Sequence, residues 1–147
     1  MGTSKWEQKR ELCRKSGWTE EDFSLAFRKN LMFMTLSDRN FSSKIDFLVN
    51  KMGLQPADMA ANPTTLTYSS ETWIIPRCAV ITLLQLKGFI TKGEFSVSTM
   101  LLGSKTYFLK RFVIQYQEQV PELLSIFQGK MGLWELGIGF AERSGME

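Results

Sequence analysis

The sequence predicts an all-α protein, an α-solenoid (superhelix) of about three stacked helical repeats. Three observations carry this. No segment shows sustained alternation of apolar and polar residues, which is the period of a strand. Glycine recurs at Gly17, Gly53, Gly88 and Gly132, at spacings of 36, 35 and 44, and each of the first three precedes a large apolar residue and a new helical stretch. Glycine takes that place just past a helix C-terminus, where left-handed backbone is needed. The intervals also share a pattern: setting Asn30 over Asn62 places Leu31 over Pro63, Ser37 over Ser69 and Phe41 over Trp73. Units this short cannot bury their apolar faces alone, so they stack.

The elements follow in order. Residues 1–15 read as a basic N-terminal helical segment carrying Lys9, Arg10, Arg14 and Lys15. Residues 16–132 form the repeat domain, each unit a short helix, a break and a longer helix. "TEED" at 19–22 is a capping-box pattern that opens the first short helix. Pro56 suits the first turn of the second. Pro63 ends that helix, residues 63–68 make the bend with Leu66 tucked inward, and Pro76 marks the start of the longer helix or a kink in it. Ser69 or Ser70, and Ser104, are N-caps for the long helices. One apolar face joins Phe41, Ile45, Leu48, Val49 and Met52. Another joins Phe108, Leu109, Phe112, Val113, Tyr116, Val120, Leu123 and Phe127. "ITKGE" is an insertion ahead of the third unit, and residues 133–147 form a C-terminal tail.

Composition narrows the function. The chain has no histidine, which removes Ser-His-Asp and Cys-His catalysis and the commonest metal ligand. Cys13 and Cys78 lie 65 positions apart and make no CxxC pair, so they read as free packed thiols rather than zinc ligands or a disulfide. "GSKT" at 103–106 lacks phosphate-loop spacing, and "GIGFAE" at 137–142 lacks the third glycine and the preceding strand of a dinucleotide fingerprint. The chain therefore reads as a non-enzyme without cofactor or metal. No apolar run approaches the length that spans a bilayer. The N-terminal "MGTSKWEQKRELCRKSGW" has no apolar signal core, and its glutamates do not fit a transit peptide. Residues 1–113 hold 16 Lys/Arg against 10 Asp/Glu, whereas residues 114–147 hold 2 against 5. A basic body of this kind suits a polyanionic partner.

"GWTEEDFSLAFRKN", "FLVNKMG", "NPTTLTYSSETWIIPRC" and "VPELLSIFQGKMG" resemble the C-terminal repeats of plant members of the mitochondrial transcription termination factor (mTERF) family, from about Trp6 to Gly132. The resemblance implies a left-handed helical superhelix that binds DNA or RNA in chloroplasts or mitochondria. There it would affect transcription, termination, splicing or translation, beside protein partners of the organellar gene-expression machinery. Two departures stand out. Leu31 replaces the proline expected after the first short helix, and Gly103 stands at the third bend. Such proteins usually carry a transit peptide and more repeats, so a truncated relative without independent binding is one alternative and a protein-interaction scaffold another. The segment after Gly132 has no family counterpart.

Binding through phosphates needs cations along one face. The candidates are Arg28 and Lys29 at the end of the first short helix, Lys44 and Lys51 on the first long helix, Arg77, Lys87, and Lys110 with Arg111. The arginines rank first because a guanidinium grips phosphate bidentately. Trp6, Trp18, Phe41 and Trp73 could stack on bases, but their places at repeat junctions predict core packing.

Overall fold

The structure, a computed structural model, describes residues 4–140. These are helices and turns, with no strand among them. They fold as two compact units, one ending at Tyr68 and the other beginning at Ser69.

The first unit opens with α1 (Lys5–Lys15), capped by the Ser4 hydroxyl on the Glu7 amide. It ends in a Schellman turn: Gly17 N–H donates to Arg14 C=O and Trp18 N–H to Cys13 C=O, with Gly17 at φ 104°. The predicted capping box opens α2 (Glu20–Lys29), with reciprocal 3.0 Å bonds between Thr19 and Asp22. A 3-10 turn, Leu31–Thr35, follows, and then α3 (Asp38–Asp46), capped by Ser37 and prolonged by a π turn, Phe47–Lys51. Next come α4 (Pro56–Ala61), with Pro56 in its first turn, and a second 3-10 turn, Pro63–Thr67, with Leu66 fully buried as expected. The two bends match in length although only one begins with proline. At the other, the Asn30 side chain accepts from Met32 N–H and donates to Thr64 Oγ1, anchoring the turn by hydrogen bonds instead of a fixed φ. The core is an aromatic cluster, with Trp18 edge-on to Phe33 (5.5 Å) and Phe41 (5.7 Å).

The second unit begins with a π turn, Ser70–Ile74, capped by Ser69 and running into α5 (Ile75–Leu86). Pro76 falls where the π turn becomes α-helix, and the wider ladder there accommodates its missing N–H. Residues 76–84 of α5 are all buried, Arg77 and Thr82 along with the apolar side chains. Gly88, at φ 85°, closes it with a second Schellman turn. A π turn, Ser98–Leu102, leads to α6 (Lys105–Phe108), capped by Ser104 and continued by Leu109–Val113 and Ile114–Tyr116. The apolar stripe predicted over 108–127 is present, but the helix is not continuous. Pro121 disfavours helical backbone at Val120, so the chain turns and restarts as α7 (Leu123–Phe127). The glycine in left-handed backbone after α7 is Gly129 (φ 77°), whereas Gly132 is extended (φ −101°) and precedes a final 3-10 turn, Leu133–Leu136. Tail residues 141–147 lie outside the described set.

Both cysteines are buried free thiols, and burial raises each pKa, that of Cys13 to about 12.

Candidate nucleic-acid interface

The predicted cations divide by depth. Arg28, Lys87 and Lys110 are exposed and make no ion pair with any described residue. Lys29 is exposed too, but its Nζ donates to Ala61 C=O (2.8 Å) at the end of α4. Arg111 is half-buried, lies over the Phe95 ring at 4.6 Å and donates to Gln115 Oε1. Lys51 is half-buried.

Lys44 and Arg77 are corrected by the fold. Lys44 is 6% exposed and donates to Leu66 C=O at 2.9 Å, and burial holds its pKa below the usual lysine value. Arg77 is 1% exposed, stacks on Trp73 at 3.8 Å and lies 4.9 Å from Phe108. It donates from Nη1 to Gly103 C=O at 2.7 Å. Neither guanidinium nor ammonium can reach a phosphate without unpacking a bend. Lys9 repeats the arrangement: it is 5% exposed, lies over Phe41, and donates to Leu36 C=O and Asp38. In each case a buried cation on one helix holds a carbonyl of a later bend, 22–27 positions along the chain. The signal was in the sequence: basic residues at 9, 44 and 77 recur at nearly the repeat spacing within apolar helix faces.

The N-terminal basic cluster is partly neutralised. Arg10 pairs with Glu20, and Arg14 pairs with Glu11 through a hydrogen bond that lowers the Glu11 pKa and raises that of Arg14. Exposed cations not singled out from the sequence are Lys5, Arg39, Lys92, Lys105 and Lys130. Trp18 and Phe41 are buried as expected, and half-buried Trp73 donates its indole N–H to Leu101 C=O at 2.8 Å. Trp6 departs from the expectation: 45% of it remains exposed.

The mTERF family model matches residues 2–109, more than half of the chain. The chain belongs to the mTERF family. The match takes in α1, both 3-10 bends of the first unit, and the long helix α5. The family is one of nucleic-acid-binding helical-repeat proteins of organellar gene expression rather than of enzymes. No curated protein and no solved structure matches the chain. Among the described residues of this mTERF chain, no three His, Cys, Asp or Glu side chains group as metal ligands, and no helix is long and apolar enough to cross a membrane.

Proposed function

We propose that this mTERF protein binds double-stranded DNA or RNA through backbone phosphates and so regulates transcription termination or RNA processing in a chloroplast or mitochondrion. The observation that supports this reading most is the set of exposed cations, Arg28, Lys87 and Lys110, that have no carboxylate partner among the described residues, on a chain of this family. Lys29 follows Arg28 and Arg111 follows Lys110 in the chain and each adds charge there, while Lys44 and Arg77 leave the binding set and serve the fold. Contacts of this kind position a protein on the helix without reading bases. Each phosphate neutralised releases counterions, so affinity falls steeply with salt.

The test is fluorescence anisotropy of the full chain against labelled duplex DNA and duplex RNA over a salt series. The triple variant Arg28→Gln/Lys87→Gln/Lys110→Gln should weaken binding and flatten the salt slope by about 2–3. Salt-independent binding, or a variant that binds like the parent, would sink the phosphate reading. The scaffold reading draws on one feature of the second unit: Trp134 is 78% exposed beside an apolar groove of about 560 Å³ lined by Ile75, Ile126 and Leu133.

A further inference from the structure

In the first unit, α1 and α2 enclose a groove of about 410 Å³ lined by Trp6, Arg10, Glu20, Phe23, Phe27 and Arg28. It combines an aromatic floor with cations at its rim. Trp6 is held rather than loose: its ring stands edge-on to Phe23 at 5.5 Å and 86°, and the Arg10 guanidinium lies 5.6 Å from its centroid. Arg10 is itself fixed by two hydrogen bonds to Glu20 Oε1, at 2.9 and 2.5 Å. Glu20 therefore serves to position Arg10, and its charge is spent on that pair. Arg28 has no such partner among the described residues. The groove thus offers one ordered indole on α1, nearly half exposed, and one uncompensated guanidinium on α2.

That pairing fits a nucleotide. A base has an apolar π-face for the indole, and its phosphate is a bidentate acceptor for the guanidinium. A base inside a duplex is covered on both faces by its neighbours, so only an unpaired one can stack on a side chain. We infer that the α1–α2 groove binds an unpaired nucleotide of single-stranded nucleic acid, with the base on Trp6 and the phosphate on Arg28. The site rests on the nucleic-acid reading above and adds to it a preference for strand regions that are open.

The experiment titrates the full chain with four labelled ligands: single-stranded RNA, single-stranded DNA of the same sequence, that strand paired with its complement, and the single strand carrying abasic positions that keep phosphates and lack bases. Trp6→Ala should weaken single-strand binding about tenfold, as expected for loss of one aromatic–base stack, and leave duplex binding unchanged. Trp6→Tyr should restore most of the loss. The parent chain should bind the abasic strand about tenfold more weakly than the intact one, a result that needs no variant to fold. The RNA and DNA arms show which strand the groove takes. Equal affinity of the parent for intact and abasic strands overturns the proposal. So does a helical Trp6→Ala variant with unchanged single-strand affinity, which would turn the groove over to a protein partner. If the parent binds neither duplex nor single strand, the phosphate reading fails and the groove reading with it; duplex binding with no base dependence overturns the groove alone.

Discussion

The two compact units satisfy their bends differently. In the first, both bends are 3-10 turns that bond their own carbonyls: Leu36 N–H donates to Phe33 C=O and Tyr68 N–H to Thr65 C=O, each at 3.3 Å. A lysine then suffices to take the remaining carbonyl, Lys9 at Leu36 and Lys44 at Leu66. The second unit has no 3-10 turn at its bend. Two side chains reach its carbonyls instead, Arg77 at Gly103 and the Trp73 indole at Leu101. An ammonium is a point charge, whereas a guanidinium can donate in its plane while its faces pack on Trp73 and Phe108. The bend that lost internal hydrogen bonds thus depends on the more capable cation. The same repeat tolerates different bend backbones as long as the buried carbonyls find donors.

The largest way to break this comparison is Arg77→Ala. It removes a buried side chain packed on two aromatic rings and strips the donor from Gly103. We expect a loss of about 3–5 kcal/mol, read from the urea midpoint by circular dichroism. Arg77→Lys should recover little, because lysine cannot stack and donate together. A loss no larger than that for Lys44→Met would show that the two units are secured alike.

The helix-ending glycines sharpen the comparison next. Gly17 and Gly88 both have positive φ, yet a Cβ at Gly17 would lie 2.9 Å from Pro56 Cγ whereas one at Gly88 meets nothing within 4 Å. Gly88→Ala should cost only the left-handed backbone, about 1–2 kcal/mol. Gly17→Ala adds overpacking, for about 2–3 kcal/mol in total. Equal melting shifts would mean that Pro56 moves aside freely.

The effect at Lys44 is as small as that at Gly88. Lys44→Met leaves the Leu66 carbonyl without its donor, at about 1–2 kcal/mol near neutral pH. The pH dependence has a definite sign. Burial lowers the folded-state pKa below 10.5, so the unfolded chain binds more protons between the folded value and 10.5. Parent stability should therefore gain a contribution as pH rises through that window, and Lys44→Met should lack it. Identical slopes for the two proteins in alkaline denaturation would remove burial as the cause.

Much of the local structure was legible because it depends on short-range rules. Gly17, Gly53 and Gly88 ended helices, the Thr19–Asp22 box opened one, and Ser69 and Ser104 capped their long helices, as Ser37 does at the repeat position matching Ser69. Pro121 shows the limit. Periodicity traced one stripe through it, and the stripe is real, but periodicity does not register that a proline breaks the helix on which the stripe runs. The interface was less legible. Arg28 and Arg77 look alike in sequence, each an arginine in a helix with apolar neighbours, and one is exposed while the other is buried between rings. Trp6 and Trp18 diverge in the same way, the first left half-exposed at the groove and the second buried among phenylalanines.

By itself the sequence determined the helical class, the repeat period, the caps and the family, since each is set by residues within a few positions or by their recurrence. Only the tertiary structure decided which cations face solvent. A charge on a helix stays in water unless a packed neighbour supplies both cover and acceptors. For Lys9, Lys44 and Arg77 those acceptors are carbonyls 22–27 positions away, which only folding brings within reach.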